Sequence, residues 1–332
     1  MKLAIDAMGG DLAPVAPVGA TIECAQKFLD TEFILIGDEQ RIRDNIETLP
    51  MNVRIVHTDV TIEPDEEPVR AVRRKPNASL TLAAALVKQQ EADVMVSAGS
   101  TGALVASGLL GIGRLPGIDR PALAPVLPTF DGQGVLLMDA GATMDASALN
   151  LLQYAKMGAA YSKHVLDVPE PRVALLNVGT EPGKGNALTK EAYQLLEAAS
   201  LNFVGNVEAR EVLDGGADVV VCDGFVGNVV LKLIEGVGLG IFGLLKEQLT
   251  KGISTKMAAL MLKPSLRGLR DKFDYAEYGG APFLGVAGGC LKAHGSSSQR
   301  AWVVAMEQAR KFVKQDVIRQ FSEDLKGSAQ DD

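Results

Sequence analysis

The residues of this chain with chemistry to offer are gathered at six points, most of them just after a short apolar run. They are Gly9-Gly10-Asp11, Ser97–Gly102, Asn177–Asn186, Asp223–Asn228, Tyr278-Gly279-Gly280 and His294-Gly295. The clearest lies in Val94–Ala106. There Val94-Met95-Val96 reads as a buried strand, Gly99-Ser100-Thr101-Gly102 as a turn, and the small apolar residues beyond as a helix. Such a junction suits an anion. Glycine lets backbone approach a ligand, and Ser100 or Thr101 can cap the helix or donate to that ligand. The free N–H groups and dipole of a helix start favour negative charge. With no metal-ligand spacing and no nucleophile–base pair, the chemistry on offer is phosphate binding. Charge would then be stabilised during group transfer by positioning and electrostatics.

Several motifs match by letter and fail by context. Gly238-Leu239-Gly240-Ile241-Phe242-Gly243 spells GxGxxG but sits inside a helical stretch, so its glycines are expected to serve close helix packing or flexibility. Gly183-Lys184 has a phosphate-loop flavour, yet Gly179 is one residue too close and Gly185 replaces the required hydroxyl residue. No GxSxG elbow is present. Cys222, at a strand end, reads as a buried cysteine before it reads as a nucleophile.

These loops need strands and helices to position them. The apolar patterning predicts strands at Leu3–Ile5, Phe33–Ile36, Val53–His57, Val94–Val96, Ala122–Leu127, Val135–Met138, Arg172–Asn177, Phe203–Val207 and Val219–Cys222. It predicts helices at 17–28, 39–48, 80–90, 148–164 and 189–199. Strands alternating with helices imply an α/β fold with a parallel sheet covered on both faces, whose ligands bind beyond the carboxyl ends of the strands. One shared cleft is the economical expectation. No repeat or linker divides the chain, so residues 1–326 read as one α/β domain and 327–332 as a loose tail.

Composition narrows the class. The chain has 332 residues, 47% hydrophobic and 22% charged, with a net charge of −8 and few aromatics, which argues against nucleic-acid binding. Three widely spaced cysteines and a start that runs straight into a strand predict a cytoplasmic protein with no disulfide framework and no zinc site.

Five stretches, DAMGGD (Asp6–Asp11), SAGSTGA (Ser97–Ala103), LNVGTEPGKGN (Leu176–Asn186), CDGFVGNV (Cys222–Val229) and YGGAP with HG (Tyr278–Pro282, His294-Gly295), run in order across nearly the whole chain. Together they resemble the bacterial phosphate acyltransferase family (PlsX). One departure is Ser100, in place of the asparagine of a SAGNTGA form; serine keeps a donor and an acceptor with less reach. The resemblance implies a three-layer α/β/α Rossmann-like fold similar to phosphotransacetylases and isopropylmalate dehydrogenases, a homodimer, and no cofactor. It also implies transfer of a long-chain acyl group from acyl-acyl-carrier protein to inorganic phosphate, giving acyl-phosphate for phosphatidic acid and phospholipid synthesis. Phosphate would attack the thioester directly, with no covalent enzyme intermediate. On that reading Lys184 and the backbone around Gly99–Gly102 and Gly183–Gly185 hold phosphate. Gly9, Gly10, Asp11, Thr180, Asn186, Gly224 and Gly227 shape the substrate site. Asn177, Asn228 or His294 would polarise the carbonyl or protonate the leaving sulfur, and Asp223 would orient a neighbour. A short-chain phosphotransacetylase using acyl-CoA, or a non-catalytic membrane-docking scaffold, are the alternatives.

A basic arm at about 238–272 stands apart. Between Lys246 and Lys272 seven basic residues, among them Lys251, Lys256, Lys263, Arg267 and Arg270, meet only Glu247 and Asp271. Phe242, Leu245, Leu249, Ile253, Met257, Leu260 and Met261 keep helical spacing, and Pro264 is expected to interrupt. Two short basic amphipathic helices suit an anionic membrane surface or an acidic carrier protein, with a dimer-interface pair as the plainer reading. The resemblance favours peripheral membrane association, since the product must reach a membrane glycerol-phosphate acyltransferase.

Overall fold

Short apolar runs with no polar alternation need cover on both faces, and the chain supplies it by wrapping helices around two parallel-rich sheets. The computed structural model describes residues 1–273 and 279–327. The first part runs β1 (Lys2–Asp6), α1 (Val15–Lys27), β2 (Glu32–Gly37), α2 (Glu39–Arg43), β3 (Val53–His57), α3 (Pro68–Arg74), α4 (Ser79–Lys88), β4 (Val94–Ser97), α5 (Thr101–Ser107) and β5 (Ala122–Leu123). The middle runs β6 (Val126–Leu127), β7 (Val135–Met138), α6 (Ala148–His164), β8 (Val173–Asn177), α7 (Ala187–Ala198), β9 (Phe203–Glu208), β10 (Val219–Val221), α8 (Gly224–Thr250) and α9 (Ile253–Phe273). The chain then returns as β11 (Ala281–Leu284), β12 (Gly289–Lys292), α10 (Gln299–Lys314) and α11 (Val317–Gly327).

The first sheet has the order β3-β2-β1-β4-β12-β11-β5 and the second β6-β7-β10-β8-β9. Within the first sheet β3, β2, β1, β4 and β12 are parallel. Alternate residues of one strand go to opposite cores. Leu3 and Ile5 pack with Trp302 and Met306 of α10, whereas Ala4, Ile34 and Met95 pack with Leu80 and Leu104 on the other face. This is the expected three-layer arrangement, built on two sheets where a single sheet is the simpler expectation.

Two local expectations are corrected. The predicted strand Ala122–Leu127 is split into β5 and β6, which belong to different sheets. Pro125 between them has no N–H for a ladder, and its carbonyl accepts instead from Leu137 at 2.9 Å. The predicted pair of short arm helices is one 27-residue helix, α8, continuous from the Asp223 turn, followed by α9, which carries Pro264 inside it. Strand β12, far down the chain from β4, has no counterpart among the predicted strands, yet it lies beside β4 in the centre of the first sheet. Gly327 ends α11, while residues 328–332 of the expected tail, like Tyr278 and the side chains of Ile253, Arg267 and Arg270, lie outside the described residues.

The sheets are stitched together by Asp139, which follows β7 and is wholly buried. Its carboxylate accepts the N–H of Leu123 at 2.8 Å from β5, and those of Gly141, Ala142 and Thr143 at 2.7–3.2 Å. Ala140 returns the bond by donating its N–H to Leu123 O at 2.9 Å.

Candidate active site

From β1 the chain winds outward through β2 and β3, then comes back to start β4 on the other side of β1. The loops after β1 and β4 therefore diverge and leave a crevice at the carboxyl ends of these strands, where ligands bind in sheets of this kind. Three polar residues stand there side by side. Ile5 pairs with Val96, which sets Asp6 against Ser97, and Ser97 is in turn paired with Lys292 of β12. Asp6 and Lys292 continue the positions of Ala4 and Cys290, so the row looks onto the α4–α5 face.

The loops above the row are locked to one another. Ser97 Oγ donates to Asp6 Oδ2 at 2.6 Å, and Ser97 Oγ accepts from Gly99 N at 3.0 Å. Met8 N donates to Asp6 Oδ1 at 3.2 Å, and Asp11 N to Gly295 O at 2.8 Å. Gly10 has φ of 96°, and a Cβ there would lie 2.9 Å from both Ala98 Cβ and Gly295 O, so only glycine fits. Gly9, Gly10, Asp11, Gly99 and His294-Gly295 are thus brought together as expected. Ser100 caps α5 by accepting from Ala103 N at 3.3 Å, while Thr101 and Gly102 are exposed at its first turn.

The electrostatics are those of a site half withdrawn from water. Burial pushes the Asp6 carboxyl up. Burial, helped by the Lys232 ammonium, pulls Lys292 down to about 8, against the carboxylates of Glu235, Asp11 and Asp6. Burial likewise holds His294 below the ordinary imidazole range. Its Nδ1 faces the N–H of Ser296 at 3.3 Å and so is an acceptor, which places the proton of the neutral ring on Nε2.

Lys232 and Glu235 belong to α8, whose root is in the second sheet. Asp223 caps that helix, accepting from Val226 N at 2.9 Å, and Gly224 N donates to Thr143 O at 2.9 Å. Gly227 lies against the Asp139 carbonyl so closely that no Cβ fits, and exposed Asn228 faces Gly141. From there α8 carries Lys232 and Glu235, paired at 2.7 Å, to Lys292 and His294. Cys222 is buried with its thiol pushed well above the usual range, so it is a packing residue and not a thiolate.

The Asn177–Asn186 loop behaves otherwise. The Asn177 amide donates to Lys184 O at 3.2 Å and to Asn206 Oδ1 at 3.1 Å, while its oxygen accepts from Val178 N at 2.9 Å. Its hydrogens are engaged in shaping the loop. Asn206 donates to Glu181 O at 2.9 Å, and Asn186 caps α7 by accepting from Thr189 N at 3.0 Å. Lys184 is exposed and 3.9 Å from Glu181. These hydrogen bonds close on the β8–β9 edge, which β10 and β7 separate from the first sheet; they do not tie Thr180, Gly183, Lys184 or Gly185 to the Gly99–Gly102 loop.

On the arm, Phe242, Leu245 and Leu249 are half-buried, and the most exposed apolar face of α8 is another one. That face is Phe225, Val229, Leu233, Val237, Ile241 and Leu244, a stripe of exposed residues spaced three or four apart, with Met257, Leu260 and Met261 exposed on α9 as expected. Lys246, Lys251, Lys256 and Lys263 are exposed around it. Among the described residues a Cβ at Gly238, Gly240 or Gly243 would meet nothing within 4 Å. By length and composition α8 would suffice to cross a membrane.

Sequence reasoning gave no individual role to Asp6, Lys292 or Asp139, and took Ser97 only as the first residue of a loop. Asp6 and Ser97 open two of the recognised motifs, and Lys292 closes an apolar run two residues before His294; their alignment has no local signature.

Comparison with known proteins gives the family and the fold. Residues 1–320 match the family described as "Fatty acid synthesis protein". The phosphate acyltransferase of Oceanobacillus iheyensis is 56% identical over 317 residues, covering 96% of this chain and 95% of its own. That of Bacillus cereus G9842 is 52% identical over 318 residues, covering 96% of each. Among solved structures, a phosphotransacetylase from Streptococcus pyogenes superposes with a TM-score of 0.62 at 18% identity, covering 94% of each chain. A branched-chain phosphotransacylase from Enterococcus faecalis V583 gives 0.55 at 15%, covering 94% of this chain and 99% of its own. At these identities the structures speak to the fold alone.

Proposed function

The chain belongs to the phosphate acyltransferase family of fatty acid synthesis proteins and is an enzyme that transfers an acyl group to phosphate; from that premise we propose that it takes a long-chain acyl group from acyl-acyl-carrier protein. Inorganic phosphate binds in the crevice between the loops after β1, β4 and β12. The observation that carries the placement is the in-register row Asp6, Ser97, Lys292 beneath the interlocked glycine loops. A phosphate oxygen attacks the thioester carbon, and the carrier thiol leaves. Burial of Cys222 supports direct attack in place of a thioester on the enzyme. The exposed apolar stripe of α8, the helix that carries Lys232 and Glu235 to the site, offers a track for a long acyl chain, while the lysines of the arm suit an acidic carrier.

The assay is release of carrier thiol from long-chain acyl-acyl-carrier protein, with acyl-phosphate trapped as the hydroxamate. Release that needs both phosphate and enzyme supports the reading. Turnover of acyl-CoA but not of the carrier substrate would replace it with a phosphotransacetylase.

The same reading makes the protein a cytoplasmic homodimer that attaches to anionic membrane surface and delivers acyl-phosphate to a membrane glycerol-phosphate acyltransferase for phosphatidic acid synthesis. Its support is the uncovered apolar face of α8 and α9 ringed by lysines. Replacing Ile241 and Leu244 by glutamate is expected to lower flotation with anionic vesicles about tenfold or more. Undiminished flotation of a folded double variant would remove α8 from the membrane contact.

A further inference from the structure

We propose that Lys292 is a catalytic residue: it holds the attacking phosphate and carries the proton that phosphate loses to the leaving sulfur. The proposal rests on the reading that this chain transfers an acyl group to phosphate in the β1–β4–β12 crevice.

Lys292 ends the strand next to β4 in the sheet order, in register with Ser97, whose hydroxyl is already committed to Asp6. Its ammonium donates to the carbonyl of Ala293, leaving two of its three protons for a ligand. The charged groups around it are Asp6 and Asp11 from β1 and its loop, Lys232 and Glu235 from α8, and His294 on its own segment. The neighbouring strands β4 and β11 carry no ionisable residue, and α10 reaches the strand end through uncharged Ala305 and Gln308. Lys184 stands in water; Lys292 is the lysine the fold withdraws into the crevice. Withdrawal lowers its proton affinity to about 8, near the value at which a group can both give and retake a proton at neutral pH.

An oxygen of hydrogen phosphate bonds to the thioester carbon, and the carbonyl electron pair moves to oxygen. That oxyanion collapses, the carbon–sulfur bond breaks, and its electron pair stays on sulfur, which takes a proton from the Lys292 ammonium. The neutral amine then takes the remaining proton of the acyl hydrogen phosphate. Acyl-phosphate and free thiol leave, and Lys292 is again charged. No further reactant is consumed.

The test uses the full-length enzyme. Wild-type kcat is expected to fall above about pH 8 as the ammonium is lost. Lys292→Gln is expected to lower kcat at least 100-fold and raise the KM for phosphate. Lys292→Arg should restore phosphate KM towards wild type, leave kcat low, and move the alkaline limb out of range. A Lys292→Gln enzyme with wild-type kcat and an unchanged limb would overturn the proposal. Should the variants not fold, the wild-type protein decides by mass spectrometry of acetic anhydride labelling. Lys292 is expected to react progressively through pH 8 and to be protected by inorganic phosphate; labelling that phosphate does not slow would overturn the assignment. Absence of phosphate-dependent thiol release in the wild type would instead refute the reading beneath it.

Discussion

Replacing Asp139 by alanine is expected to lower the stability of the fold by about 3–5 kcal/mol. The carboxylate is the acceptor for Leu123, Gly141, Ala142 and Thr143 N–H groups at the junction of the two sheets, in a place where water does not reach. Each donor left without a partner there costs roughly 1–3 kcal/mol, partly recovered as the loop relaxes. Gly224 and Gly227 also lie against Asp139, so the start of α8 would shift with it. The midpoint of urea unfolding followed by circular dichroism reports the loss, and a change below about 1 kcal/mol would contradict the role given to this residue. Asp139→Asn keeps one acceptor and should fall between. It also carries a pH signature. Burial raises the Asp139 carboxyl from 3.8 to about 6, so between these values the folded chain keeps a proton that the unfolded chain has released. Its contribution to stability is therefore present at low pH and lost as pH rises through 6. The asparagine variant should lack that part of the slope.

Asp6→Ala is expected to reduce kcat/KM for phosphate by about 100–1,000-fold. Asp6 acts without touching substrate. It holds Ser97 Oγ, which holds Gly99 N, and it holds Met8 N, so both loops of the crevice take their geometry from one buried carboxyl. Removing it frees the N–H donors that must stand still when charge moves. Ser97→Ala breaks one arm of the same bracket and should cost less, on the order of tenfold. Steady-state kinetics on protein with an unaltered circular dichroism spectrum checks both. Full activity in Asp6→Ala would mean that these loops do not hold the reacting phosphate.

Much of the architecture is legible in the sequence because it is written locally. The helix predicted at 148–164 has those bounds in the structure, since Ser147 and Asn150 close a capping box at its start. The strands before DAMGGD and SAGSTGA are plain apolar runs, and the glycines after them announce the loops. What is not legible depends on distance in sequence. Asp6, Ser97 and Lys292 are neighbours only because β12 inserts beside β4, and nothing near residue 292 records that register. Residue type alone does not show at Asn177 that Lys184 O and Asn206 accept from its amide. On the arm, helical spacing marks Phe242, Leu245 and Leu249 but does not say which stripe of α8 is left exposed.

The placement of phosphate is tested most directly by a crystal structure of the enzyme soaked with selenate, a tetrahedral oxyanion located by its anomalous signal. One strong peak is expected at the carboxyl ends of β1, β4 and β12, within hydrogen-bond reach of Lys292 Nζ and the Gly99–Gly102 backbone. A peak instead at the Gly183–Lys184–Gly185 turn, with the β1–β4–β12 crevice empty, would contradict that placement.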